Sequence, residues 1–389
     1  RAVRALFYYQ LLDLFGRIPL VIEAETNAKL MKQSARSEVF RFVVNELQTA
    51  LPYLSAEHSN LLGNNYGHMT KSVAYFLLAR LALNAEVYSD DDWTDKLKQD
   101  GTKIYFQVGG QSLNAWQTTM AYCDSLTEIG YSLEKNYVDN FVVSNEHSRE
   151  NIFTIPMDKT LYATVFKNLF RTLHYVHGSA LGRGAENGSS ATLSTLSTFG
   201  YGTPHQDPRF EFNFFADTVK VDDKVVMINK TTPLIYHPLS IKMQLTGAKY
   251  EKTAGARMKK YEIDRTAYDD GKLQNNDIVL YRYADALLMQ SEAMIRQGRN
   301  GDVPLNMVRA RVGLSPLRNA TLTDVLKERM LELVWEGTRR QDLIRFHLFH
   351  LPYEERPQLA KEINAYTTVF PIPLRTLQMN GLLHQNPGY

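Results

Sequence analysis

Three glutamates, Glu328, Glu332 and Glu336, recur at every fourth position of an apolar helical pattern that runs from Leu322 to Phe346. At that spacing they stack on one helix face and repel one another unless cations stand between them. The same stretch supplies cations at helical spacing: Arg329 lies three residues before Glu332, and Arg339 and Arg340 lie three and four residues after Glu336. The pattern predicts a buried or half-buried ion network of Arg329, Glu332, Glu336, Arg339 and Arg340 that locks the last helix onto its neighbours. Gly337 costs about 1 kcal/mol against alanine in a helix interior, which points to a close approach by a neighbouring element. An opposing reading makes Glu332 and Glu336 a catalytic pair, the acid and the base or nucleophile of a glycosidase. The flanking arginines count against it, because they hold both carboxyls ionised and spoil the acid.

A chain of 389 residues with 44% hydrophobic content can bury a large core, and a net charge of +2 without runs of Lys or Arg gives no footprint for nucleic acid. The single cysteine, Cys123, sits in a helical stretch and reads as a small core residue. No stretch approaches the roughly 18 apolar residues of a membrane span. The compositional oddity is aromatic, with 22 Tyr and 18 Phe. Helices and their core consume many of those rings, and any surplus is free to stack on ligands.

Helical period dominates both ends of the chain. A first helix runs from Ala2 to Gly16, where glycine suits the C-terminal cap and Pro19 prevents continuation. A second starts from an N-cap at Ser37 and extends to about Leu54, with Val39, Phe40, Val43, Val44, Leu47 and Leu51 as its apolar stripe. Thr70 caps a third, in which Ala74, Ala82 and Ala85 let a partner approach, and a fourth spans about Ser112 to Ile129. These form two successive hairpins. The helix from Tyr283 to Ala293 and the one after it make a third, and Leu322 to Phe346 begins a fourth unit. Between about Asp158 and Asn276 the period disappears, glycine, serine and threonine crowd Gly178 to Gly202, and short runs such as Thr218 to Val221 suggest small strands. An irregular stretch this long in a compact chain is functional or disordered, and its many rings argue against disorder.

Several blocks carry a family resemblance. The helix Glu328-Arg329 … Glu332 … Glu336-Gly337-Thr338-Arg339 … Asp342-Leu343-Ile344-Arg345 is followed by Phe370-Pro371-Ile372-Pro373 and by the terminal Gln385-Asn386-Pro387-Gly388-Tyr389. With the opening Arg1-Ala2 … Phe15-Gly16-Arg17-Ile18-Pro19-Leu20, the helix Gly67 … Thr70-Lys71 … Ala79-Arg80-Leu81, and the segments Asp207-Pro208-Arg209, Lys260-Tyr261 and Tyr281-Arg282-Tyr283-Ala284-Asp285, this series closely resembles the SusD/RagB family, the outer-membrane nutrient-binding lipoproteins of Bacteroidetes. The resemblance implies an all-α fold in which degenerate tetratricopeptide-like helix pairs form a superhelix, covered on one side by a long irregular loop layer. It implies one domain over 1–389: first helix pairs over 1–157, a loop-rich ligand-facing insertion over 158–276, and C-terminal helix pairs with the tail over 277–389. From the sequence side the support is partial, since paired amphipathic helices suit stacked units but no clean period of about 34 residues is visible.

The family also implies a function: capture of an oligosaccharide or related nutrient at the cell surface, and delivery to a SusC-like TonB-dependent outer-membrane transporter. It implies no catalysis, cofactor or metal. The chain opens in mid-helix without signal peptide or initiator methionine, which reads as a truncated N-terminal part. Membrane attachment is then expected through a lipidated cysteine outside this sequence. Sugar rings stack their C–H faces on aromatic planes, so Trp93, Tyr162, Phe166, His174, Tyr175 and Tyr201 are the ligand-binding residues proposed from the sequence, with Phe170, His177 and Phe199 in the same ring-rich segment. The family motifs locate this region without naming its residues, and the glycan's identity is not legible. Two rival readings are a helical-toroid glycoside hydrolase and a tetratricopeptide scaffold for peptides.

Weaker signals read as structural. His174-x-x-His177 and His347-x-x-His350 have one-face spacing for a metal but no third ligand at a convincing interval. Asp90-Asp91-Asp92 lacks the alternating ligands and glycine of a calcium loop and reads as a helix-terminal acidic cluster.

Overall fold

Helix pairing follows the apolar stripes. In the protein, described by a computed structural model over residues 1–23, 30–95, 97–161, 167–267, 272–354 and 356–389, helix α1 (Ala2–Phe15) packs along α2 (Arg36–Ala50). Ala5, Tyr9 and Leu12 of α1 and Val39, Val43 and Leu47 of α2 are fully buried in one shared core. Gly16 ends α1 in the left-handed region at φ 68, donating its N–H to Leu12 O, as the sequence predicts for a C-terminal cap. The cap of α2 differs from expectation. Ser37 lies inside the helix, and its N–H and hydroxyl both donate to the Asp91 carboxylate, at 2.8 and 2.9 Å. The acidic triplet therefore caps a helix from a distance in sequence, satisfying amides that have no partner within the helix.

The centre of the molecule is α3 (Lys71–Leu83), buried almost all round, against α4 (Ala115–Glu128). Ala74 and Ala82 are fully buried there, in keeping with the close approach their small side chains allow. Helix α4 starts later than the periodicity predicts, because Ser112 pairs with Gln107 in a hairpin, Tyr105–Val108 with Gln111–Asn114. Asn114 then caps α4, its Oδ1 accepting from Gln117 N at 3.0 Å. Cys123 is buried on this helix, and burial pushes its thiol well above the usual range. A third pair, α5 (Tyr283–Arg296) and α6 (Asp302–Arg311), packs against α4 through α5, and α7 (Leu322–Leu333) packs on α5 and α6. Strands elsewhere are pairs of two to five residues, so the core is helical, as the all-α reading predicts.

The final helix corrects the sequence reading. It does not run on to Phe346: α7 stops at Leu333 and a short α8 (Arg339–Arg345) begins after a turn with Trp335 at φ 67 and Gly337 at φ 76. A Cβ built on Gly337 would meet nothing within 4 Å, so this glycine serves a left-handed backbone and not close packing.

The segment 158–276 leaves and re-enters the helical body at one neck. Strand Asn151–Ile155 pairs antiparallel with Ile278–Arg282, placing Asn151 opposite Arg282 and Ile155 opposite Ile278. Asp277 fastens this neck: its carboxylate accepts from Tyr66 Oη at 2.7 Å, Met157 N at 2.9 Å and Thr154 Oγ1 at 3.0 Å. Beyond the neck the segment builds small cores of its own. Ala191, Leu196, Phe199, Phe210 and Phe214 form one with Leu331 and Val334 of the helical body, and Val219, Val226, Leu234 and Tyr236 form another. The predicted small strand at Thr218–Val221 is two, Asp217–Thr218 paired with Ile235–Tyr236 and Lys220–Val221 paired with Lys224–Val225.

Candidate functional site

The turn after α7 leaves helix-terminal carbonyls without helical partners, and buried cations take them. Lys260 Nζ donates to Val334 O at 2.8 Å, Glu332 O at 3.2 Å and Glu336 Oε1 at 2.5 Å. Arg282 Nη2 donates to Glu332 O at 3.1 Å and Glu336 Oε1 at 2.7 Å, while its Nε donates to Glu336 Oε2 at 2.8 Å. The turn thus carries Glu336 off the helix and onto Arg282. Glu332 meets Arg209 at 3.0 Å, Arg282 at 2.9 Å and also Arg311; Glu150 accepts from Arg282 and Arg311, and Arg209 is held by Asp207 at 2.8 Å. The side chains of Glu150, Glu332, Arg209 and Arg282 are fully buried.

Buried ion pairs surround this helix, but they do not join the five expected residues to one another. Arg329 does not pair with Glu332; it bridges Asp285 at 2.7 Å and Asp342 at 2.8 Å, and Arg345 continues that chain to Asp342 and Glu292. Arg339 donates to Leu326 O at 3.0 Å, and Arg340 reaches Asp13 at 2.7 Å and Thr368 O at 2.6 Å. Both follow the break, so neither shares a face with Glu336. Burial alone would raise the carboxyls of Glu332 and Glu336, but the surrounding arginines, with Lys260 beside Glu336, outweigh it and hold both below the usual range. Carboxylates so neutralised and enclosed have no access to substrate. Among the cations, Arg209, Lys260 and Arg282 lie in blocks that carried the family resemblance, yet no helical spacing links them to Glu332. Arg282 stands alone between two rings, Tyr281-Arg282-Tyr283, whereas Arg209 follows Asp207-Pro208 and Lys260 follows Lys259, so no one local pattern marks all three.

The ring-rich segment distributes its aromatics unevenly. Tyr162 and Phe166 lie outside the described residues. Phe199 is fully buried, its ring 5.1 Å from Phe214. His174 is buried and caps a short helix, Tyr175–Ala180, its Nδ1 accepting from Val176 N at 3.2 Å. His177 stands 3.1 Å from Tyr236 Oη and edge-on to Phe215, and burial pushes it down to about 4, so it is neutral near pH 7. Tyr201 packs on Phe210 at 4.9 Å and donates its hydroxyl to Asp217 Oδ1 at 2.8 Å. Tyr175 presents its ring to solvent at 49% exposure, the most open ring of the predicted set among the described residues.

Near that helix a cavity of about 580 Å³ is lined by His177, Leu181, Phe215, Lys259, Glu262, Asp264 and Arg265. Trp93 is not part of this face. It is buried beside Gly16 and Arg36 and lines a separate cavity of about 680 Å³ between α2, α8 and the tail. His347 and His350 line that second cavity too. No group of three His, Cys, Asp or Glu placed to hold a metal occurs among the described residues. Within the same residues no helix is long and apolar enough to cross a membrane.

The chain's similarities cover nearly all of this architecture. Residues 107–389 match the model of the SusD family. Starch-binding protein SusD of Bacteroides thetaiotaomicron is 22% identical over an alignment that takes in 100% of this chain and 72% of that protein. A SusD-like protein of Bacteroides ovatus is 23% identical over 88% of this chain and 57% of its own length. Among solved structures, a SusD homolog from B. thetaiotaomicron superposes with a TM-score of 0.72 at 19% identity, covering 100% of this chain and 77% of that one. Surface glycan-binding protein A from the same species, in complex with laminarihexaose, gives 0.68 at 18% identity over 99% and 76%. At such identities the structures speak for the fold, and the family model speaks for descent: the chain belongs to the SusD family.

Proposed function

We propose that this chain is a surface glycan-binding protein that captures an oligosaccharide on the 158–276 layer and passes it on without chemistry. The family match over 107–389 carries the reading, and the whole-chain similarity to a starch-binding protein favours a saccharide over a peptide. The geometry is compatible with it. The neck at Asp277 and the ion-locked helices give the loop layer a fixed base, the exposed Tyr175 ring offers an apolar plane, and His177 of the same short helix lines a cavity that also holds Lys259, Glu262, Asp264 and Arg265. A sugar on such a face exchanges water for protein hydrogen bonds with little net gain, so stacked C–H area sets an affinity of about micromolar to millimolar. Delivery to a TonB-dependent SusC-like barrel, and tethering to the outer membrane through a lipid anchor, belong to the same proposal.

A glycan array covering starch, laminarin, xylan and pectin oligosaccharides, followed by calorimetry, tests binding. Saturable association with at least one class and no new reducing ends is the expected result. New reducing ends would point instead to the helical-toroid hydrolase. Co-purification of the tagged full-length protein with a large barrel from detergent-solubilised outer membranes tests the transporter arm.

A further inference from the structure

Two fully enclosed side chains at the Trp93 cavity have donors and no acceptors. Arg36 is 1% exposed and Trp93 6%. Among the described residues, nothing accepts from Arg36 Nε or Nη1, or from Trp93 Nε1. The guanidinium carbon lies 5.2 Å from the Trp93 ring centroid and 5.6 Å from that of Tyr88, so rings flank it, while the Asp13 and Asp90 carboxylates act on it from beyond hydrogen-bond reach. Neighbouring acids are engaged elsewhere: Asp13 with Arg340 and the Tyr88 hydroxyl, Glu86 with Arg296 and Gly101 N, and Asp90 Oδ1 with Asp92 N. Arginine carries no acceptor and keeps its charge at any ordinary pH, and a buried charge without a partner is strongly unfavourable. Every other fully buried arginine named above sits among carboxylates. Arg36 sits at a cavity instead.

We propose that this cavity is a second binding site, distinct from the glycan-facing layer, for a small ring-bearing monocarboxylate whose anion is held by Arg36 and the Trp93 indole N–H. Three features select that chemistry. All the unfilled positions are donors, so the ligand must bring acceptors. Among the described residues the guanidinium has no ion pair within hydrogen-bond reach, which favours an anion, and Asp90 on the same cavity wall disfavours more than one negative charge, so a carboxylate fits and a phosphate exceeds the site. The cavity, about 680 Å³, has apolar walls from Leu97, Phe346 and Phe349, room for a ring behind the carboxylate. Charge-assisted bonds to donors as buried as Arg36 and Trp93 are stronger than those made at an open surface.

Benzoate is the probe, with benzamide as its neutral isostere and chloride exchanged to keep ionic strength constant. The chain has three tryptophans, so its indole N–H signals can be followed one by one, with Trp93→Phe assigning the relevant one. Benzoate at millimolar concentration should shift the Trp93 signal saturably and leave those of Trp116 and Trp335 in place, while benzamide shifts none. Arg36→Met should abolish the shift, and Arg36→Lys should weaken binding about tenfold. If Arg36→Met does not fold, the lysine variant and the benzoate-to-benzamide contrast on the parent decide the matter. Equal responses to benzoate and benzamide, no response to either, or full benzoate binding by Arg36→Lys would overturn the proposal.

Discussion

Around α7 every buried cation has a carboxylate or a helix-terminal carbonyl, and the partners come from points far apart in sequence, such as Glu150, Arg209 and Glu332. In the 158–276 layer, apart from Arg209 and Lys260, which reach into that network, the polar groups mostly serve their own turns: Asp158 accepts from Thr160 N at 2.7 Å, Asn229 from Thr231 N at 3.0 Å, and Asp264 from Thr266 N at 2.8 Å. The first arrangement is cooperative. Changing one member strands several others, because a charge left alone in a dry interior loses its solvation without compensation. The second is modular, so a surface ring can change while the turns beneath it persist. A fold divided this way can keep one scaffold and vary what it holds.

The sharpest way to break that contrast is at its centre. Glu332→Ala leaves Arg209, Arg282 and Arg311 short of a partner and should lower stability by about 3–5 kcal/mol, read as a fall in denaturant midpoint. A loss below about 1 kcal/mol would mean the lattice is replaceable.

Acid provides the next test. Asp285 and Glu292 are buried, which by itself would raise them, but Arg329 and Arg80 around the first and Arg345 and Arg296 around the second bring each down to about 2. Folded values below the unfolded ones mean that their stabilisation is complete above about pH 4.5 and disappears as pH falls through about 2. Each group should contribute on the order of 2–3 kcal/mol to that loss. Urea midpoints at pH 5, 3.5 and 2.5 should drop accordingly, and Glu292→Gln should flatten the profile.

A smaller effect is expected where the helix breaks. Gly337→Ala meets open space but forces a Cβ onto φ 76, for about 1–2 kcal/mol. If the alanine variant is as stable as the parent, the turn between α7 and α8 is softer than the ion pairs across it imply.

Much of this division was visible in the amino-acid order, for a physical reason. The apolar stripes of α2, α4 and α5 follow the helical period, so pairing was legible along with the need to neutralise Glu328, Glu332 and Glu336. The countercharges were not, because Arg209 and Arg282 reach Glu332 through tertiary contacts that no local spacing encodes. The break at Gly337 was misread for a related cause: one glycine fits both a tight contact and a left-handed turn, and only the backbone angle separates them. In the loop layer, rings that bury and rings that project look alike in sequence. Phe199 fills a small core and Tyr175 faces solvent, and no period distinguishes them.

The smallest expected change in stability accompanies the largest expected change in binding. Tyr175→Ala removes a half-exposed ring from a short helix and should alter stability by no more than about 0.5 kcal/mol. Calorimetric titration of Tyr175→Ala and Glu336→Gln with the same array-selected oligosaccharide, each alongside its melting curve, therefore tests the separation of scaffold from ligand face most directly. The account predicts at least a tenfold weaker association and an unchanged melting temperature for Tyr175→Ala, against an unchanged Kd and a clearly lowered melting temperature for Glu336→Gln. Full affinity in the tyrosine variant, or lost affinity at an unchanged melting temperature in the glutamate variant, would contradict it.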